Sequence, residues 1–179
     1  STKALQTKSA IAYMPNTPLF ANHLASVTAD DDATLDLEGY ITNAYTIFDV
    51  YLEKIMPATD DVLCCMRMGD TSGWITGGTS YGYYNVHAGT YIYDGLQTDG
   101  RYDASGSYWV ISGQSEFNVG SNTDEGFTAH LRLYHCSDTA RLTSGEIMGG
   151  LYVSVDRYIT SKYISSLSLL TTNQIEDVQ

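Results

Sequence analysis

From Thr34 onward apolar residues recur at every second position, and this period constrains the chain more than any other feature. In Ile47–Ile55, Phe48, Val50 and Leu52 alternate with Asp49, Tyr51 and Glu53, the pattern of a strand with one buried and one wet face. Val62, Cys64, Met66 and Met68 share a face, with Arg67 on the other. Ala129, Leu131 and Leu133 alternate with His130, Arg132 and Tyr134, and Leu151, Val153 and Val155 alternate with Tyr152, Ser154 and Asp156. Tyr108–Ile111 predicts a short buried strand. Turn residues punctuate the chain at Pro57–Asp61, Gly69–Gly73, Gly77, Gly78 and Gly113. No window carries a convincing 3.6-residue apolar repeat, and no repeat of solenoid length is present. The expected fold is all-β, a two-sheet antiparallel sandwich over residues 34–179.

Residues 1–33 differ. They contain no acidic residue before Asp30, and two of the three prolines, Pro15 and Pro18. Met14, Leu19, Phe20 and Leu24 are scattered with no sustained period. Proline holds the backbone out of helix, and apolar side chains outside a core usually meet a partner surface. The segment is expected to be an N-terminal arm or extended segment, with Met14, Pro15, Pro18, Leu19, Phe20 and Leu24 as interface residues toward a partner surface or neighbouring subunits.

The chain has 179 residues, a length suited to one large domain. Its 9 basic against 21 acidic side chains give a net charge of -12, which excludes gripping a phosphate backbone. No apolar run approaches a transmembrane length. Ser1 is what trimming of an initiator Met leaves, and no apolar stretch follows the first lysines, so no secretory signal is expected. The three cysteines, Cys64, Cys65 and Cys136, are odd in number, and adjacent residues on a strand point to opposite faces. They are expected to be free thiols.

Signals for chemistry are weak. Gly78-Thr79-Ser80-Tyr81-Gly82 matches a nucleophile elbow, but strand-like Tyr83-Tyr84-Asn85-Val86 follows where that motif needs a helix. His23, His87, His130 and His135 are scattered; His130 and His135 lie an odd number of residues apart and face opposite sides of a strand. Asp30–Asp32 with Asp36 lacks the alternation of a calcium loop and marks a solvated turn. Asp49, Glu53, Asp94 and Asp103 are carboxylates whose pairing across a cleft the sequence does not reveal. No enzyme, metal or cofactor is expected. Between Gly69 and Gly106, Trp74, Tyr81, Tyr83, Tyr84, Tyr91 and Tyr93 are interleaved with Gly, Ser and Thr. Such a stretch offers rigid amphipathic contact area, although tyrosine is also a good strand former.

Gly39–Tyr45, Phe48–Tyr51, Ile55–Asp60 and Val62–Met68, followed by His130–Tyr134, Cys136–Ala140 and Gly149–Tyr152, resemble a group of tailed-phage virion proteins across residues 39–170. The resemblance implies a jelly-roll-like β-sandwich serving as a capsid decoration (cement) protein or as part of a tail fibre, commonly trimeric. It implies a place in the virion and contacts with the major capsid protein. The alternative is a tail-fibre or adhesin module whose Tyr-rich 74–109 region binds host surface glycans. One departure is at the end. Relatives finish with a closing strand, whereas Asn173–Gln179 stands where that strand would begin, leaving an edge open.

Overall fold

The computed structural model describes residues 8–13, 22–60, 62–78, 80–91, 95–112, 119, 121, 126–152, 160–170 and 174–179, and of 8–13, 85–91, 95–105, 150–152, 160–166 and 168 the backbone alone. Among the described residues there is no helix. The strands are β1 (Lys8–Tyr13), β2 (Asn22–Thr28), β3 (Ile47–Ile55), β4 (Cys65–Met66), β5 (Met68–Asp70), β6 (Gly73–Trp74), β7 (Tyr81–Tyr91), β8 (Gly95–Gly106), β9 (Trp109–Val110), β10 (Gly126–Tyr134), β11 (Ser144–Tyr152), β12 (Thr160–Leu169) and β13 (Asp177–Val178). All pairings between them are antiparallel. One sheet has eight strands in the order β2-β1-β3-β10-β11-β12-β7-β8; β13-β5-β6 and β4-β9 form two small sheets.

The two-residue alternation becomes rows across the large sheet. Phe48, Leu133, Gly145, Leu167 and Tyr83 stand in register on one face, as do Val50, Leu131 and Ile147, and all of them are buried. Gly145 is required there: a Cβ would lie 2.8 Å from the Arg132 carbonyl oxygen and 3.0 Å from Leu133 Cδ2. A bulge ends the pattern in β3, where Lys54 takes a φ of 49° and donates its N–H to Thr128 Oγ1 at 3.2 Å. Glu53 and Lys54 then oppose one residue of β10, which bends the strand.

Residues of the small sheets complete this core. Met66, Met68, Trp109, Val110 and Val178 belong to the same buried cluster as Phe48, Leu131 and Ile147. Trp109 packs edge-on against Tyr81, with ring centroids 5.4 Å apart, and donates its indole N–H to the Gly82 carbonyl at 3.1 Å. The buried Tyr81 hydroxyl accepts the Met68 N–H at 2.9 Å and donates to the Ile75 carbonyl at 2.8 Å. These bonds give the phenol's polar end partners that burial would otherwise leave missing.

Of the N-terminal segment, residues 8–13 and 22–28 are β1 and β2, and β1 pairs with β3 from Lys8↔Glu53 to Ala12↔Asp49. These two stretches are strands of the large sheet. Backbone pairing overrides the missing apolar period, because an edge strand needs few buried side chains to be held. Leu24 is half-buried against the core. Met14, Pro15, Pro18, Leu19 and Phe20 lie outside the described residues, as do Val153 and Val155. The C-terminal segment forms β13, paired with β5, and Leu37 exchanges backbone hydrogen bonds with Val178 at 2.8 and 3.1 Å.

Candidate functional site

The opposite face of the large sheet carries a ladder of polar and aromatic side chains. Alternation puts Asp49 and Tyr51 of β3 on this face, and the β3–β10 register sets them opposite Arg132 and His130. β11 adds Glu146 beside Arg132 and Met148 beside His130. Alternation alone places Asp49 on the wet side, yet it is 4% exposed. Its Oδ1 accepts hydrogen bonds from Arg132 Nε and His130 Nε2, both at 2.8 Å, and its Oδ2 accepts one from Arg132 Nη2 at 3.0 Å. The forked guanidinium thus holds both carboxylate oxygens. Burial pushes the Asp49 carboxyl up, but the Arg132 and His130 hydrogen bonds and the charge of Arg132 outweigh it and hold the pKa below its ordinary value. The same hydrogen bond raises the Arg132 pKa.

This buried charge fixes what lies above it. The His130 ring stacks on Tyr51 with centroids 4.4 Å apart and planes 4° from parallel. Tyr134 donates its hydroxyl to Glu146 Oε1 at 2.8 Å. Burial, then the Glu146 carboxylate, raises the phenol pKa. Met148 is 63% exposed, and Tyr51, on the other side of His130, is exposed too. The Asp49 carboxylate accepts three hydrogen bonds from two residues, and the Arg132 charge is matched by it. Chemically the ladder holds one buried carboxylate with two basic side chains, on a face that also presents Tyr51, Met148 and Glu146.

A groove of about 750 Å³ opens on the core side next to β3. It is lined by Val50 and Leu52, by residues of 29–37, 55–59 and 62–67, and by Tyr108, with Arg67, Asp31 and Asp32 among its polar residues. Arg67 Cζ sits 5.9 Å from the Tyr108 ring centroid. Cys64 and Cys65 also line it, and burial pushes their thiols up to about 12 and about 11. Both are therefore thiols and not thiolate nucleophiles at neutral pH. All three cysteines are free, and burial takes Cys136 to about 12. Among the described residues no group of three His, Cys, Asp or Glu side chains is placed to hold a metal ion.

The Tyr-rich stretch divides. Tyr81 and Tyr83, expected as contact residues, are core residues at 0% and 6% exposure: Tyr81 packs on Trp109, and Tyr83 stands beside Leu167. Trp74 is half-buried, and Tyr84, on the outer face, is exposed. Tyr91 ends β7 with its side chain undescribed, and Tyr93 lies outside the described residues. Ser80 is buried and leads directly into β7, so no strand-to-helix elbow is built around it. Sequence reasoning misses the ladder. Its one local signal is His130 and Arg132 two apart on a strand, two basic groups on one face that need an acid from a neighbour; only the register identifies Asp49.

Comparison with known proteins gives no matching family model, no matching curated protein and no matching solved structure.

Proposed function

We propose that the chain is a virion structural protein of a tailed bacteriophage, a capsid decoration or cement protein that acts by contact. In this reading the fold is a jelly-roll-like sandwich, with the eight-stranded sheet as one layer and the small sheets as the other. The protein assembles with itself, as a trimer, and with the major capsid protein. The supporting observation is the outer face of the sheet: the buried Asp49 held by half-buried Arg132 and His130, with exposed Tyr51 and Met148 on either side of His130. A surface made rigid before contact loses little entropy on docking, so burial of apolar groups there is retained as binding energy. The sequence resemblance over residues 39–170 and the acidic charge, which disfavours a nucleic-acid partner, agree with it.

A second reading, a tail-fibre or adhesin module for host glycans, keeps one observation in its favour: Tyr84 of the Tyr-rich stretch is exposed on the same face as Tyr51. Copy number separates the two. Quantitative mass spectrometry of virions purified from the virus encoding this chain should find hundreds of copies for a decoration protein. A few dozen would favour the fibre, and none would remove both.

A further inference from the structure

The two edges of the large sheet are not equivalent. β8 closes one edge with Asp99, Arg101 and Asp103 and glycines at 95, 100 and 106, charges and breaks of the kind that block further pairing. β2 closes the other with Asn22-His23-Leu24-Ala25-Ser26-Val27-Thr28, which contains no Lys, Arg, Asp, Glu or Pro. A register shift leaves Leu24 unmatched on β1, but Ala25–Thr28 pairs without a break, from Ala25↔Ile11 to Thr28↔Lys8. Its second edge has no strand partner among the described residues. Ala25 and Val27 are in register, through β1, with Val50 and Leu52 of the core face, and both are half-buried. The strand ends into Ala29 and the exposed run Asp30-Asp31-Asp32.

We propose that the β2 edge, at Ala25–Thr28, is a strand-addition site for an extended segment of a partner protein. That segment carries apolar residues at alternate positions and a Lys- or Arg-bearing end that lies beside Asp30–Asp32. Main-chain hydrogen bonds to β2 supply the attachment, alternate side chains continue the inner face past Ala25 and Val27, and the aspartates select the charge. A second copy pairing through its own β2 is the less suited occupant of this edge, since that strand carries no Lys or Arg to lie beside the aspartates. The inference rests on the reading as an assembly protein and names how it holds its partner.

The test is fluorescence anisotropy with labelled peptides in which two lysines precede alternating valine and threonine. Two control peptides carry glutamates for the lysines or a proline at the central valine. The lysine peptide should bind, the glutamate peptide about tenfold or more weakly, and the proline peptide not at all. Ser26 is exposed, so Ser26→Lys should abolish binding with an unchanged circular dichroism spectrum. Asp31→Asn with Asp32→Asn should remove the preference for lysine; asparagine tolerates the φ of 65° at position 31. No binding of the lysine peptide at millimolar concentration, equal binding of the proline peptide, or indifference to Ser26→Lys would each overturn the proposal. So would sedimentation of the free protein as a dimer that Ser26→Lys dissolves, since the edge would then belong to a second copy. Absence of the chain from virions would remove the decoration role and leave these peptide results standing.

Discussion

The two faces of the eight-stranded sheet come from the same strands and the same alternation, yet they are held by different physics. On the inner face, Val50, Leu131 and Ile147 are buried in one cluster with residues of the small sheets, and area removed from water stabilises them. On the outer face, at the neighbouring positions, Asp49, Arg132 and His130 are held by directed bonds of 2.8 to 3.0 Å around one buried carboxylate. The inner face tolerates no lost volume. The outer face tolerates lost volume but not a lost charge. A sheet with one shielded face can thus be rigid on both, and the exposed one remains available for contact.

Substitutions should separate these mechanisms. The largest effect is expected on the inner face: Leu131→Ala should cost about 2–5 kcal/mol in urea unfolding, through lost burial and the cavity left behind. A loss as small as that of a surface residue would break the assigned register. Asp49→Ala should come next, at about 1–3 kcal/mol, because it leaves Arg132 and His130 without their acceptor.

That second effect carries a pH signature. The folded-state pKa of Asp49 lies below its unfolded value, so its contribution is fully present above the ordinary carboxylate pKa of about 4. It is lost as pH falls through the lower, folded value. The stability difference between the native protein and Asp49→Asn should therefore shrink as the pH falls below about 4; a difference that grows there would mean that the lock is not ionic.

Tyr81→Phe should cost about 1–2 kcal/mol, since it keeps the ring against Trp109 and removes only the hydroxyl that joins Met68 and Ile75. The smallest effect is expected for Tyr51→Ala, about 1 kcal/mol or less by chemical denaturation, because it removes one cross-strand stack from a solvated face. If Tyr51→Ala destabilised the protein as much as Leu131→Ala, the contrast between the faces would be wrong.

Much of the inner face is legible in the alternation of the sequence. Phe48, Val50, Leu52, Leu131 and Leu133 are buried as their alternation predicts, and so are Met66, Met68, Trp109 and Ile111. The period of two is a local property, since successive side chains on a strand must point to opposite sides. β1 and β2 are not legible, because an edge pair with mixed side chains is held by backbone hydrogen bonds that any sequence can make. Tyr81 and Tyr83 mislead for a related reason. Tyrosine suits a solvated face and a core equally, and only the position of Met68, Ile75 and Trp109 decides which.

The sequence by itself determined that the chain builds antiparallel strands, which residues share a face within each strand, and that an acidic surface would result. These are consequences of side-chain alternation and composition, both contained in short windows. Which strands are neighbours was decided only by the tertiary structure. β3 lies beside β10, some eighty residues away in the chain, and that adjacency alone turns Asp49, expected in water, into the buried centre of an Arg132–His130 lock. Register is set by the simultaneous packing of all the rows, so no local stretch of sequence contains it.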